Sequence, residues 1–371
     1  MTSLGARLYA ALATEPGNLV LSPHSVAVAL KLAAYGARGR TREEIESVVG
    51  GAGQPVDGSE WVELTSANRL FGQQGLSWQP DLAELLTEVD YADSDAARRV
   101  INAWTSTQTH ERIPEIVPDG VLDEETLLVL VNALYLKAAW EDPFHETSTT
   151  DADFHLTDET VVQLPTMLGH VGARVGSGEG WRSARLPYVG GRLAMTVVLP
   201  DPGRLAAVEA LVADRDWGVV LAAPDHQRLE LRLPRFTVRA ASRMGELLGA
   251  LGMPTAFTDD ADFSGFTGDE PLRISEVLHE AFVAVDEEGT EAAAATAVVM
   301  QRAGGLPAPP VPFVVDRPFL FAIHDVEDGA PLFLGRVADP RADGGGSYDG
   351  CHHPHRAAVG GSRAVPSSLD W

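Results

Sequence analysis

The chain has 371 residues and 45% hydrophobic content, enough for a large core. Its formal net charge of −25 argues against nucleic acid, whose phosphates it would repel, and against anionic membrane surfaces; solubility is the plain use of such a surface. The sole cysteine, Cys351, leaves no intrachain disulfide, and no run of about 18 apolar residues offers a membrane span.

Met1 to Tyr9 lacks the basic start and long apolar stretch of a secretory signal, so a cytoplasmic location is expected. The first clear helix begins at Ser22-Pro23, a favoured cap followed by a residue suited to the first turn. Val26, Ala27, Ala29, Leu30, Leu32, Ala33 and Ala34 make it apolar nearly all round, and Gly36 ends it. Thr41-Arg42-Glu43-Glu44 has the form of a capping box for a short helix ending at Gly50-Gly51. Ile101 onward is predicted helical until Pro114. The run Leu127 to Leu136 is apolar except for Asn132, as in a strand covered on both faces. Leu193 to Leu199 reads as a second strand, stopped by Pro200-Asp201-Pro202-Gly203. Leu229 to Leu233 alternates and stops at Pro234. A helix is predicted over Ser242 to Leu251, and strands near Ala281 to Val285, Pro318 to Ile323 and Leu332 to Val337. Mixed elements without strict βαβ alternation point to an α+β fold in one domain, residues 1–340. Residues 341–371 are rich in Gly and Ser and read as a disordered tail. Cys351, His352, His353 and His355 are of metal-ligating type, but Pro354 and the Gly-rich setting give no scaffold, so no metal is expected.

The most informative stretch is Asp286 to Ala297: acids, Gly289 as a pivot, then small residues except Glu291. Such a segment suits exposure in one state and insertion between two strands in another. In a strand, Thr290, Ala292, Ala294, Thr296, Val298 and Met300 share one face and grow in size along the direction of insertion. The competing reading is an alanine-rich helix.

Enzyme signatures are missing. There is no Gly-x-Ser-x-Gly elbow, no His-Glu-x-x-His pair and no phosphate-binding glycine loop. His279-Glu280 lacks the second histidine of a zinc protease, and Asp259-Asp260 lacks calcium-loop spacing. Neither catalysis nor a cofactor is expected.

Several segments together resemble the serpins, the serine protease inhibitor family, from about Asn18 to Pro340. They include Asn18-Leu19-Val20-Leu21-Ser22-Pro23-His24-Ser25, the strand Val131 to Trp140 with Pro143-Phe144, and Leu233-Pro234-Arg235-Phe236. Ala261 to Gly265, Asp286 to Ala293, and Pro331 to Pro340 complete the match. High Ala and Gly, with arginine far outnumbering lysine, suggest a bacterial member.

The resemblance implies the serpin fold: a large central β-sheet, two further sheets, eight or nine helices and an exposed reactive loop, about residues 287–312. It implies a suicide-substrate inhibitor of serine proteases, working as a monomer through a covalent acyl complex. It makes Gly289, Thr290, Glu291, Ala292, Ala293, Ala294 and Ala295 the hinge. It places Trp140, Arg235 and Glu287 at the breach, where the loop first inserts, with Glu287–Arg235 as an exposed pair setting registration. Arg235 stands where relatives often carry Lys. Ser22, Asn132 and His279 would form the shutter beneath the opening sheet, which explains the isolated polar Asn132. Counting from Glu287 places the scissile bond at Ala303-Gly304, with Arg302 and Met300 as alternatives because the loop is somewhat long. A non-inhibitory relative, acting as a binding or chaperone-like protein, is the alternative. Such proteins often carry Pro or bulky charge in the hinge; here only Glu291 does, on the outward face.

Overall fold

The structure is a computed structural model that describes residues 2–50, 62–82, 84–268, 271–290 and 309–341. Among them are eight α-helices: α1 (Leu4–Leu12), α2 (Pro23–Gly36), α3 (Gly39–Val49), α4 (Ser94–Gln108), α5 (Leu205–Arg215), α6 (Gly218–Leu221), α7 (Gly245–Leu251) and α8 (Ser264–Thr267). The strands are β1 (Leu19–Leu21), β2 (Val62–Gln73), β3 (Leu86–Val89), β4 (Leu128–Ala139), β5 (Thr150–His155), β6 (Val161–Gly178), β7 (Trp181–Pro187) and β8 (Leu193–Pro200). They continue with β9 (Asp225–Pro234), β10 (Phe236–Arg243), β11 (Glu276–Val285), β12 (Gly289–Thr290), β13 (Val311–Val314), β14 (Phe319–Asp325) and β15 (Pro331–Val337).

A six-stranded sheet, ordered β10-β11-β12-β4-β2-β3, lies at the centre. The two further sheets are continuous with each other. The 18-residue strand β6 pairs with β5 and β9 along its earlier part and with β7 near its end, making one nine-stranded ladder.

β4 is buried along nearly its whole length because the central sheet is covered on both sides. On one face Val129, Val131 and Ala133 of β4 and Leu278 of β11 meet Ile101 of α4 and Ile113, Ile116 and Val117, which follow it. On the other, Leu134, Leu136 and Ala138 join Ala281, Val283 and Val285 of β11 against the second sheet. Helix α2 packs beneath, against β2, β4 and β15, and begins as its sequence implies, with the Ser22 hydroxyl accepting the Ser25 N–H.

Three local readings change. The helix expected after a Thr41 cap starts at Gly39, because the Thr41 hydroxyl is buried and accepts the Asp262 N–H, while Glu44 bonds Thr255. Helix α4 begins at Ser94, capped by Asp93, seven residues before the expected start, and ends at Gln108. The 242–251 helix begins at Gly245 because β10 runs on through Arg243, paired with Leu278.

Candidate functional site

The central sheet has a seam. β4 and β11 run parallel and pair directly from Glu276 opposite Val129 to Phe282 opposite Tyr135. Beyond that point they part, and β12 fills the gap. Gly289 and Thr290 pair with Ala139 and Ala138 on one side, and Thr290 pairs with Val285 on the other. Two residues thus begin a strand in the mouth of an otherwise closed ladder.

A tight turn delivers them. The Asp286 carboxylate accepts the Glu288 and Gly289 N–H groups, and the Asp286 N–H donates to the Gly289 carbonyl at 3.0 Å. What Gly289 supplies here is space: a Cβ would lie 2.0 Å from the Ala138 carbonyl oxygen. Thr290 is fully buried, and its hydroxyl meets that of Tyr188. Its side chain therefore faces inward, on the parity expected for the inserting face.

Trp140, Arg235 and Glu287 converge around this turn. The Trp140 indole N–H donates 3.0 Å to the Asp286 carbonyl, and its ring stacks on Tyr188 with centroids 4.6 Å apart. The backbone N–H groups of Trp140 and Phe144 donate to the carbonyls of Glu288 and Glu287. Arg235 donates to Glu287 Oε1 through Nε (2.9 Å) and Nη2 (2.7 Å), and Thr149 adds its hydroxyl. The pair is not exposed as expected. The Glu287 carboxylate is only 4% accessible, against 43% for the Arg235 side chain. Burial alone would raise the Glu287 carboxyl, but hydrogen bonds from Arg235 and Thr149 outweigh it and hold the pKa below its ordinary value. The same contact raises Arg235.

Ser22, Asn132 and His279 also meet. Asn132 and His279 are register partners across the seam, and the His279 Nδ1–H donates to Asn132 Oδ1. The Ser22 backbone N–H donates to His279 Nε2 at 3.1 Å, which fixes the ring as the neutral Nδ1-protonated tautomer. Desolvation lowers the His279 pKa to about 3. The Asn132 amide N–H groups face the Ser25 carbonyl, the Ser25 hydroxyl and Asn68 Oδ1. One polar knot therefore ties β4, β11, β2 and the start of α2 together at mid-seam. On the opposite face Glu280 is buried, bonded by Arg239 through one oxygen while Oε2 has no partner. Burial pushes its carboxyl upward.

The sequence reading missed Ser25, Asn68, Thr149 and Tyr188 as members of this site. Asn68 carried the one available signal, a polar residue in a strand facing Asn132. Glu291, Ala292, Ala293, Ala294, Ala295, Met300, Arg302, Ala303 and Gly304 lie outside the described residues, as does the 342–371 tail. Among the described residues no group of three or more His, Cys, Asp or Glu is placed to hold a metal, and no helix is long and apolar enough to cross a membrane.

A central sheet closed below and parted above by the first two residues of a strand defines an architecture that recurs in known proteins. Residues 1–340 match the family model described as serpin (serine protease inhibitor), and the chain belongs to that family. It is 33% identical over 356 residues to the leukocyte elastase inhibitor of Bos taurus, covering 87% of this chain and 93% of the relative. Iris of Ixodes ricinus is 32% identical over 349 residues, covering 87% and 92%. The crystal structure of Serpin48 of Tenebrio molitor superposes with a TM-score of 0.80 at 30% identity, covering 90% of this chain and 95% of that one.

Proposed function

We propose that the chain is a suicide-substrate inhibitor of serine proteases. The observation that carries this is Thr290, buried between β4 and β11 at the head of a seam that is paired throughout below it. The protease serine attacks the carbonyl of the scissile residue, Ala303 in the favoured register. The amine of Gly304 leaves with a proton, and an ester joins enzyme and inhibitor. The freed segment then extends β12 down the seam. Continuing the β12 register six residues sets Thr296 between Asn132 and His279, in place of their direct bond. The protease is carried with the segment, its active site is distorted, and the ester persists. The molecule acts as a monomer, without cofactor and without turnover of its own.

Trp140, Arg235, Glu287 and Tyr188 set where insertion begins. Glu287→Ala removes three charge-assisted hydrogen bonds, each worth roughly 1.5–3 kcal/mol when buried. Because Arg235 remains solvated, a net cost of about 1–2 kcal/mol is expected. The variant should convert on warming to loop-inserted or polymeric protein faster than the parent. A native monomer of unchanged heat resistance would refute the role.

Incubation with trypsin-like, chymotrypsin-like and elastase-like proteases tests the inhibitory reading. A gel-stable complex and a released C-terminal peptide are expected. Cleavage after Ala303 gives small-pocket enzymes as targets, after Arg302 trypsin-like ones, and after Met300 chymotrypsin-like ones. Cleavage by all three classes with no complex by any would contradict it.

A further inference from the structure

A cleft of about 470 Å³ lies away from the seam, between the end of β6, β7, α6, β9 and the edge strand β13. Its size falls in the range of small-molecule sites. Val175, Val219 and Val311 give it accessible apolar walls, with Leu229 and Phe313 buried behind them.

One polar side chain on its lining lacks a hydrogen-bond partner. Arg182 lays its guanidinium 4.6 Å from the Phe313 ring centroid, and its side chain forms no hydrogen bond or ion pair among the described residues. Arg7, Arg69 and Arg185 are also half-buried without a carboxylate, but each gives its guanidinium to a carbonyl or hydroxyl oxygen, whereas that of Arg182 has only the Phe313 ring. Burial and the neighbouring Arg317 lower the Arg182 pKa, with Asp316 and Asp201 opposing. Asp225 also lines the cleft, so a polyanion would be repelled.

We propose that this cleft binds a small amphipathic monocarboxylate, with its aromatic or acyl body against Val175 and Val311 and its carboxylate on Arg182. Val311 and Pro312 of β13 form part of the cleft lining, so an occupant also braces β13 against β9, with which it pairs in parallel.

The probe is 2-naphthoate, titrated calorimetrically into the full chain, with neutral 2-naphthol as its comparison. Naphthoate should bind in the micromolar to low millimolar range and slow amide exchange in β13. Arg182→Gln should weaken naphthoate about tenfold to hundredfold, the worth of a charge-assisted hydrogen bond, and leave naphthol nearly unchanged. Val311→Trp, at a position 48% accessible and so tolerant of change, should block both probes by filling the mouth. It serves if the arginine variant misfolds. Absence of naphthoate binding at several millimolar, equal affinity for naphthol, or binding indifferent to both substitutions would overturn the proposal. None of these readouts depends on protease inhibition.

Discussion

If the chain inhibits as proposed, Thr290→Arg should turn it from an inhibitor into a substrate. Thr290 has no accessible surface, its hydroxyl is bonded to Tyr188, and its neighbours are Ala138 and Val285. A guanidinium at that point would have to be buried without a partner, at a cost of several kcal/mol. The native fold tolerates this by leaving the two residues of β12 outside. The proposed inhibitory step cannot, because in it every later residue would follow Thr290 into the seam. About 3 kcal/mol on the insertion barrier slows it roughly 100-fold. Hydrolysis of the acyl-enzyme then wins, and the gel should show cleaved chain where the parent gives covalent complex. Thr290→Ser, which keeps the hydroxyl and the small volume, should inhibit like the parent. An arginine variant that still traps one protease per chain would mean that the segment does not pass through this gap.

Acid should loosen the seam through His279. Its pKa in the closed sheet is about 3, against an ordinary value near 6.5. A depressed histidine contributes stability that is complete above its ordinary pKa and is lost as pH falls toward the folded value. At pH 5 the loss is about 2 kcal/mol, or roughly 30-fold in the population of the open seam, where the ring regains water. The bond from Nδ1 to Asn132 is the contact that opening must break, so spontaneous insertion or polymerisation should accelerate between pH 7 and pH 5. Glu280 titrates in the opposite sense. Its carboxyl is raised by burial, and acid relieves it. His279→Gln therefore isolates the histidine: it should be less stable at pH 7 yet lose the acceleration at pH 5. An equal acid response in both proteins would place the effect elsewhere.

The parts of this site that could be read from sequence are those whose burial shows in one dimension. β4 announces itself because both faces are covered, leaving Asn132 as the lone polar residue in an apolar run. Ser22-Pro23 marks α2 because capping is local. Helix α1 went unread although Leu4, Leu8 and Tyr9 carry its buried stripe. Thr41 misled because a tertiary partner, Asp262, took the hydroxyl that a cap would have used. Tyr188 and Thr149 gave no local signal, since each joins the hinge from more than 100 residues away. The exposed setting assumed for Glu287 failed for a related reason: its burial comes from packing that the segment 286–290 does not itself encode. The resemblance to serpins supplied the topology that periodicity alone left open.

The central claim is that the segment beginning at Thr290 gains free energy by joining β4 and β11. A ten-residue extension of β12 would add ladder bonds on both edges, each worth about 1 kcal/mol net, and bury Val298 and Met300 for about 1.5–3 kcal/mol apiece. A gain on the order of 10 kcal/mol corresponds to roughly 15 °C in the unfolding midpoint of a body this size. The direct measurement is that midpoint for intact chain and for chain cut once within residues 300–304 by a protease it does not trap. A rise of about 15 °C after cutting is the predicted result. A cut chain that melts with the intact one would contradict the account and favour a non-inhibitory binding protein.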